Sequence, residues 1–139
     1  MSTTFFNRTY DETMSLLVEA REYVAFREKL DRETRAIRTR LAMSCETMRV
    51  TSRLTQVMAW LLVQKAVHAG ELSHAEAAED HRRLSGHGVC LDTRMTEIED
   101  LPDRLRSLLE RSYRLYERVA RLDTMSAGAT AGGAAEAGA

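Results

Sequence analysis

The chain has 139 residues, which suits one domain burying roughly two-thirds of the surface its unfolded form exposes. A hydrophobic fraction of 44% with 29% charged residues marks a globular protein, and a single proline with 6% aromatics favours helices over a sheet. A net charge of -1 excludes the electrostatic footprint of a general nucleic-acid or anionic-membrane binder, and two cysteines are too few for a disulfide framework.

The N-terminus MSTTFFNRTYDE has neither the basic start nor the apolar stretch of a secretory signal, so the chain is expected to stay in the cytoplasm. A first helix is predicted over about 10–29. Thr9 and Glu12 have capping-box spacing, and Asp11 and Glu12 suit the positive end of the helix dipole. Tyr10, Met14, Leu17, Arg21 and Val24 fall on one line and Leu16, Ala20 and Tyr23 on another, giving a broad apolar face with Met14 and Leu17 in the core. Two readings are open for Phe5 and Phe6: a hydrophobic lid folded back on that face, or a loosely held arm.

From about residue 32 to 69 neither glycine nor proline interrupts the pattern, which predicts one long helix, the spine. Its first half is rich in arginine. Its second half carries Val57 to Val63, apolar on every side, as a helix buried all round would be, yet far short of the roughly 20 residues that cross a bilayer. Leu54, Met58, Trp60, Leu61 and Leu62 are therefore placed in the core. A spine longer than its neighbours implies a protruding end or a second copy, and a homodimer is expected. Gly70 reads as a left-handed helix stop, and Ser73 with Glu76 as the capping box of a short helix over about 74–84.

The break Ser85-Gly-His-Gly leads to Val89, Cys90 and Leu91, an apolar anchor. A last helix over about 100–123 follows. Leu101, Leu105, Leu108, Ser112, Leu115, Val119 and Leu122 alternate four and three apart, with Pro102 in the first turn. The fold class is thus all-α: an antiparallel bundle of three long helices over residues 1–125, with a short extra helix between the second and the last. Residues 126–139 hold four of the seven glycines among small side chains and are expected to be disordered.

Chemistry has little purchase on this pattern. His87 and Cys90 have the spacing of two zinc ligands, and His74 and His81 sit nearby, but no second cysteine pair or HExxH run completes a site. Ser44, Cys45 and Glu46 lie about 35 Å from His68 along one helix, too far to act together. No catalytic residue, metal or cofactor is therefore assigned, and the chain is not expected to be an enzyme.

Arg32, Arg35, Arg38, Arg40, Arg49 and Arg53 are the best case for nucleic acid, yet between Asp31 and Arg53 six basic residues meet three acidic ones, without interleaved aromatics. Arginine also outnumbers lysine 18 to 2 over the whole chain. A solvated face, a protein-docking surface and a DNA-binding regulator acting through this helix are the alternatives. Gln64, Lys65, His68 and Glu71 emerge beside Gly70, either to solvate the helix end or to form a docking patch. With Arg35, Arg38 and the tail from Ala127 to Ala139 they make the candidate partner surface.

LTQVMAWLLVQKAVHAGELS, with LPDRLRSLLERSYRLYERVARLD after it and YDETMSLLVEAREYV before it, resembles the alphaproteobacterial family of the regulator of CtrA degradation, RcdA, over about residues 5–123. The resemblance implies a small helical bundle that dimerises and acts as a non-enzymatic adaptor for the ClpXP protease. It further implies cargo such as the transcription regulator CtrA, priming by the response-regulator adaptor CpdR, a link to the cyclic-di-GMP effector PopA, and transient residence at a cell pole. The family offers no catalytic motif to transfer.

Overall fold

The computed structural model describes residues 3–93 and 100–137, with side chains of the last helix as far as Gly128. Three long helices carry the core: α1 (Thr3–Phe26), α3 (Ile37–His68) and α6 (Asp103–Ala137). Shorter pieces fill the connections: α2 (Glu28–Glu33), α4 (His74–Ala77), a 3₁₀ turn (Asp80–Arg82) and α5 (His87–Cys90). The all-α bundle expected from the sequence is the fold observed.

α1 begins at Thr3 and not after Thr9. Thr9 and Thr13 are both buried within the helix, and the Thr13 hydroxyl donates to Thr9 O at 2.7 Å, so Thr9 caps nothing. Phe6 stands one turn before Thr9 on the buried side. Continuing the helix therefore seats Phe6 against the core without any reversal of the chain, and its ring lies 6.3 Å from that of Tyr10. Phe5 and Phe6 form neither lid nor arm; they are the first turns of α1.

α2 folds back against α1 through Tyr23, whose hydroxyl donates to Asp31 Oδ2 at 3.0 Å. The spine was expected to start near residue 32, but Thr34 to Ala36 break it and Ala36 is extended. A long-range contact sets the break: Arg35 donates through Nη1 to Asp31 O at 3.0 Å and through Nε to Asp100 O at 3.1 Å. Holding both carbonyls fixes Arg35 outside either helix. The remaining 32 residues of α3 make a rod about 48 Å long.

The far end of α3 follows the sequence rules. Gly70 adopts φ 77°, open to glycine without strain, and Glu71 N–H reaches back to Ala66 O at 2.9 Å. Ser73 and Glu76 close the capping box reciprocally, at 3.0 and 3.1 Å. α4 stops after four residues, however, because little of it is buried; Leu84, not a helix face, anchors this stretch.

Helix directions come from paired contacts. Glu12 and Glu19 of α1 pair with Arg118 and Arg111 of α6, so these helices are antiparallel. Arg53 and Trp60 of α3 meet Ser112 and Asp123 of α6, so α3 and α6 run parallel, and the connection between them returns along the whole bundle. A crossover of this kind needs length, which residues 69–102 provide. Leu105, Leu108, Leu109, Leu115, Tyr116 and Val119 form the seam of α6 against α3 and α1.

Two residues expected in the core are outside it. Met14 is 38% exposed and Leu62 54% exposed, while Met58 and Leu17 are half-buried. Within the apolar run of α3, Val57, Trp60 and Leu61 are fully buried, Met58 and Val63 half-buried, and Ala59 and Leu62 exposed. Three helices cannot surround a fourth side, so the exposed positions point to solvent.

Past Asp123 the described side chains Thr124, Met125, Ser126 and Gly128 are exposed and Ala127 is half-buried. α6 runs on to Ala137, and past Asp123 its described side chains are mostly exposed, so the small-residue tail expected to be disordered lies outside the packed bundle. Alanine-rich sequence supports a helical backbone on propensity alone. The side chains from Ala129 and all of residues 138–139 lie outside the described residues.

Candidate partner-docking surface

The candidate residues separate into two groups at opposite ends of α3. Arg35 and Arg38 stand at its start, Gln64, Lys65 and His68 in its last turns and Glu71 just beyond. Arg38 to Gln64 spans about 39 Å, so no single small partner motif bridges them. Because α6 runs parallel to α3, its C-terminal extension leaves the bundle at the same end as Gln64 to Glu71. The tail and that end of the spine are neighbours; the Arg35 end is remote from both.

The six arginines of the spine region do not act as one basic patch. Arg32 pairs with Glu28 at 3.2 Å, and Arg35 is spent on the carbonyls of Asp31 and Asp100. Arg49 and Arg53 turn inward. Arg53 is 1% exposed and donates to Cys90 O at 2.7 Å, Leu109 O at 3.0 Å and Ser112 Oγ at 3.2 Å. Arg49 donates to Val89 O at 2.8 Å and pairs with Glu46 and with Asp92. Burial pushes the Arg53 pKa down, opposed by the charge of buried Glu46. These two arginines nail the returning crossover to the spine, leaving Arg38 and Arg40 exposed in the first turns of α3.

Their inward role had a signal in the sequence: Glu46, Arg53 and Trp60 are seven apart, on the same helix face as Ala42. A charge at a core register position is a buried charge, and it must be paired.

His87 and Cys90 sit in different surroundings. The His87 ring meets Tyr116 edge-on at 5.8 Å between centroids, whereas Cys90 is buried and burial raises its thiol pKa. His74 and His81 are exposed, His81 lying 3.6 Å from Glu79. Tyr116 donates to Ser85 O at 2.6 Å and Gln56 accepts from the Ser85 hydroxyl at 2.8 Å. These groups hold the loop down.

Large apolar side chains form the other exposed feature. Along α3, Ile37, Leu41, Met48 and Leu62 are all more than half exposed, with Thr55 completing a spacing of seven from Leu41. Along α1, Tyr10, Met14, Val18 and Val24 are exposed, and between the two helices lies a cavity of about 400 Å³ lined chiefly by apolar groups. Isolated exposed apolar residues are ordinary on any surface; contiguous runs at helical spacing mark interaction sites.

A three-helix core with buried arginines that fasten its crossover, and with apolar rows left open, defines an all-α helical scaffold. The chain belongs to the family described as protein of unknown function (DUF1465), whose model matches residues 1–137. It is also similar to the crystal structure of RcdA from Caulobacter crescentus CB15, at 36% identity and a TM-score of 0.68, covering 87% of this chain and 89% of that one. It is thereby an RcdA-like protein. No curated protein matches it.

Proposed function

We propose that this chain is a non-enzymatic adaptor that tethers CtrA-type transcription regulators to the ClpXP protease and so controls their degradation. The likeness to RcdA over nearly the whole of both chains carries the reading. A response-regulator adaptor of the CpdR type primes the protease, and a cyclic-di-GMP effector of the PopA type supplies a further link. The adaptor works in the cytoplasm, with transient recruitment to a cell pole. Among the described residues no helix is long and apolar enough to cross a membrane.

Holding cargo and protease together raises the local concentration of cargo to about the millimolar range without any bond being made or broken. Gln64 to Glu71 and the neighbouring extension from Ala127 to Ala139 form one docking end in this reading, and Arg38, exposed in the first turns of α3, marks the other. The extension is taken to fray in solution, since a helix resting on propensity alone is marginal in water. Two copies associate along Ile37, Leu41, Met48 and Leu62. Nucleic-acid binding through the arginine-rich half fits less well, because Arg35, Arg49 and Arg53 spend their donors inside the fold.

The test is reconstitution: cargo degradation by ClpXP with its primed response regulator, with and without this chain. Acceleration by about tenfold or more is expected. Equal rates would overturn the adaptor reading.

A further inference from the structure

Burial along α1 is uneven. Its earlier turns bury Thr9, Thr13 and Leu16, pack Phe6 and Leu17 against the core, and are tied to α6 by the Glu12–Arg118 and Glu19–Arg111 pairs. Residues 21–33, the end of α1 and all of α2, bury Tyr23 alone. Val24, Phe26 and Leu30 in this stretch are 48%, 73% and 56% exposed.

Even that one ring is loosely seated. A cavity of about 400 Å³ opens between α1 and α3 and another of about 410 Å³ between α1 and α6, and Tyr23 and Leu108 line both. Side chains that face open space forfeit the dispersion contacts of a packed wall. Protein interiors are otherwise close-packed, so two such spaces at a single anchor mark an underpacked joint.

Polar contacts hold these residues to each other rather than to the bundle. Tyr23 donates to Asp31 Oδ2 at 3.0 Å and Arg32 pairs with Glu28 at 3.2 Å. Across the bend, the N–H groups of Arg27 and Asp31 donate to Tyr23 O and Arg27 O at 2.9 and 3.0 Å. Among the described residues no side chain of 21–33 bonds to α3 or α6. The polar tie to the rest is Arg35, which joins Asp31 O to Asp100 O at 3.0 and 3.1 Å, while Asp100 Oδ2 accepts from the Thr39 hydroxyl at 3.4 Å.

We propose that residues 21–33 form a strap that opens as one piece, with the bond from Arg35 to Asp100 O as its latch. Because the strap is bonded internally, it leaves whole; because one ring anchors it, it leaves before the helices beneath it. A segment with few buried apolar contacts opens at a free energy well below that of global unfolding. Opening uncovers Leu54, Leu105 and Leu108, which are at most 2% exposed beneath it. This device lies beyond the adaptor reading and stands without it.

Hydrogen–deuterium exchange of the full chain, followed by mass spectrometry, tests the strap. Amides of 21–33 are expected to exchange at least about tenfold faster than those of 9–18 on the same helix. Arg35→Ala removes the latch and should speed exchange over 21–33 by a further factor of about ten, leaving 50–61 unchanged. Val24→Phe adds apolar bulk on the cavity side from a half-exposed position and should slow the strap by about threefold or more. Equal protection along the whole of α1 overturns the proposal, as does Arg35→Ala loosening 50–61 as much as 21–33. Unchanged exchange in Val24→Phe overturns underpacking as the cause of opening.

Discussion

Three elements meet at one carboxylate. Trp60 of α3 donates through Nε1 to Asp123 Oδ1 at 3.1 Å, and Arg83 of the crossover reaches Asp123 Oδ2 at 3.2 Å. Trp60 is 3% exposed, so its replacement by alanine leaves a large void as well as a lost donor. The expected cost is about 3–5 kcal/mol in urea unfolding followed by circular dichroism. Trp60→Phe separates the two effects: it keeps most of the volume, leaves Asp123 held by Arg83, and is expected to cost about 1–2 kcal/mol. Equal melting of wild type and Trp60→Ala would remove Trp60 from the core.

At the scale of elements, local rules and long-range contacts divided the outcome. Gly70, the Ser73–Glu76 box and the four-three seam of α6 were legible in the sequence because each depends on groups within one or two turns. The gap at Thr34 to Ala36 was not, because Arg35 is fixed by Asp100, 65 residues away. Thr9 failed as a cap for the same reason: tertiary burial of its face outweighed a local signal. The partner surface was legible only in its ends, since the wheel of α3 shows a row without saying which neighbour it lacks.

The crossover is the element most dependent on such contacts, and Arg53 is its main fastener. Arg53→Met keeps the volume but strips Cys90 O and Ser112 Oγ of their donor. The expected loss is about 3–5 kcal/mol, because a buried network broken at one partner leaves its other groups unpaired. Amide exchange over 85–92 should rise before the rest of the bundle opens. Arg40→Ala, in a solvated turn of the same helix, is expected to stay within about 0.5 kcal/mol of wild type. Equal effects from the two arginines would mean the crossover is held by its apolar residues alone.

For the whole molecule the parallel run of α3 and α6 has a consequence. With the crossover on one side and α1 on another, the back of α3 is left uncovered, and it carries Ile37, Leu41, Met48, Thr55 and Leu62 over about 38 Å. Leu41, Met48, Thr55 and Leu62 repeat every seven residues, the period at which two helices wind together in a left-handed sense. No acidic side chain of α3 opposes a second copy there, and Arg38 lies off the row. Leu41→Glu and Met48→Glu place carboxylates in the middle of that row, where a two-fold partner would set each against its own copy. Sedimentation equilibrium is expected to give twice the 15.7 kDa chain mass for the wild type and the single mass for either variant. Thermal stability at low protein concentration should barely change, because both side chains are already exposed in one copy. A wild type that sediments as one chain, or variants that keep the doubled mass, would mean the row serves a different partner or that the copies meet on another face.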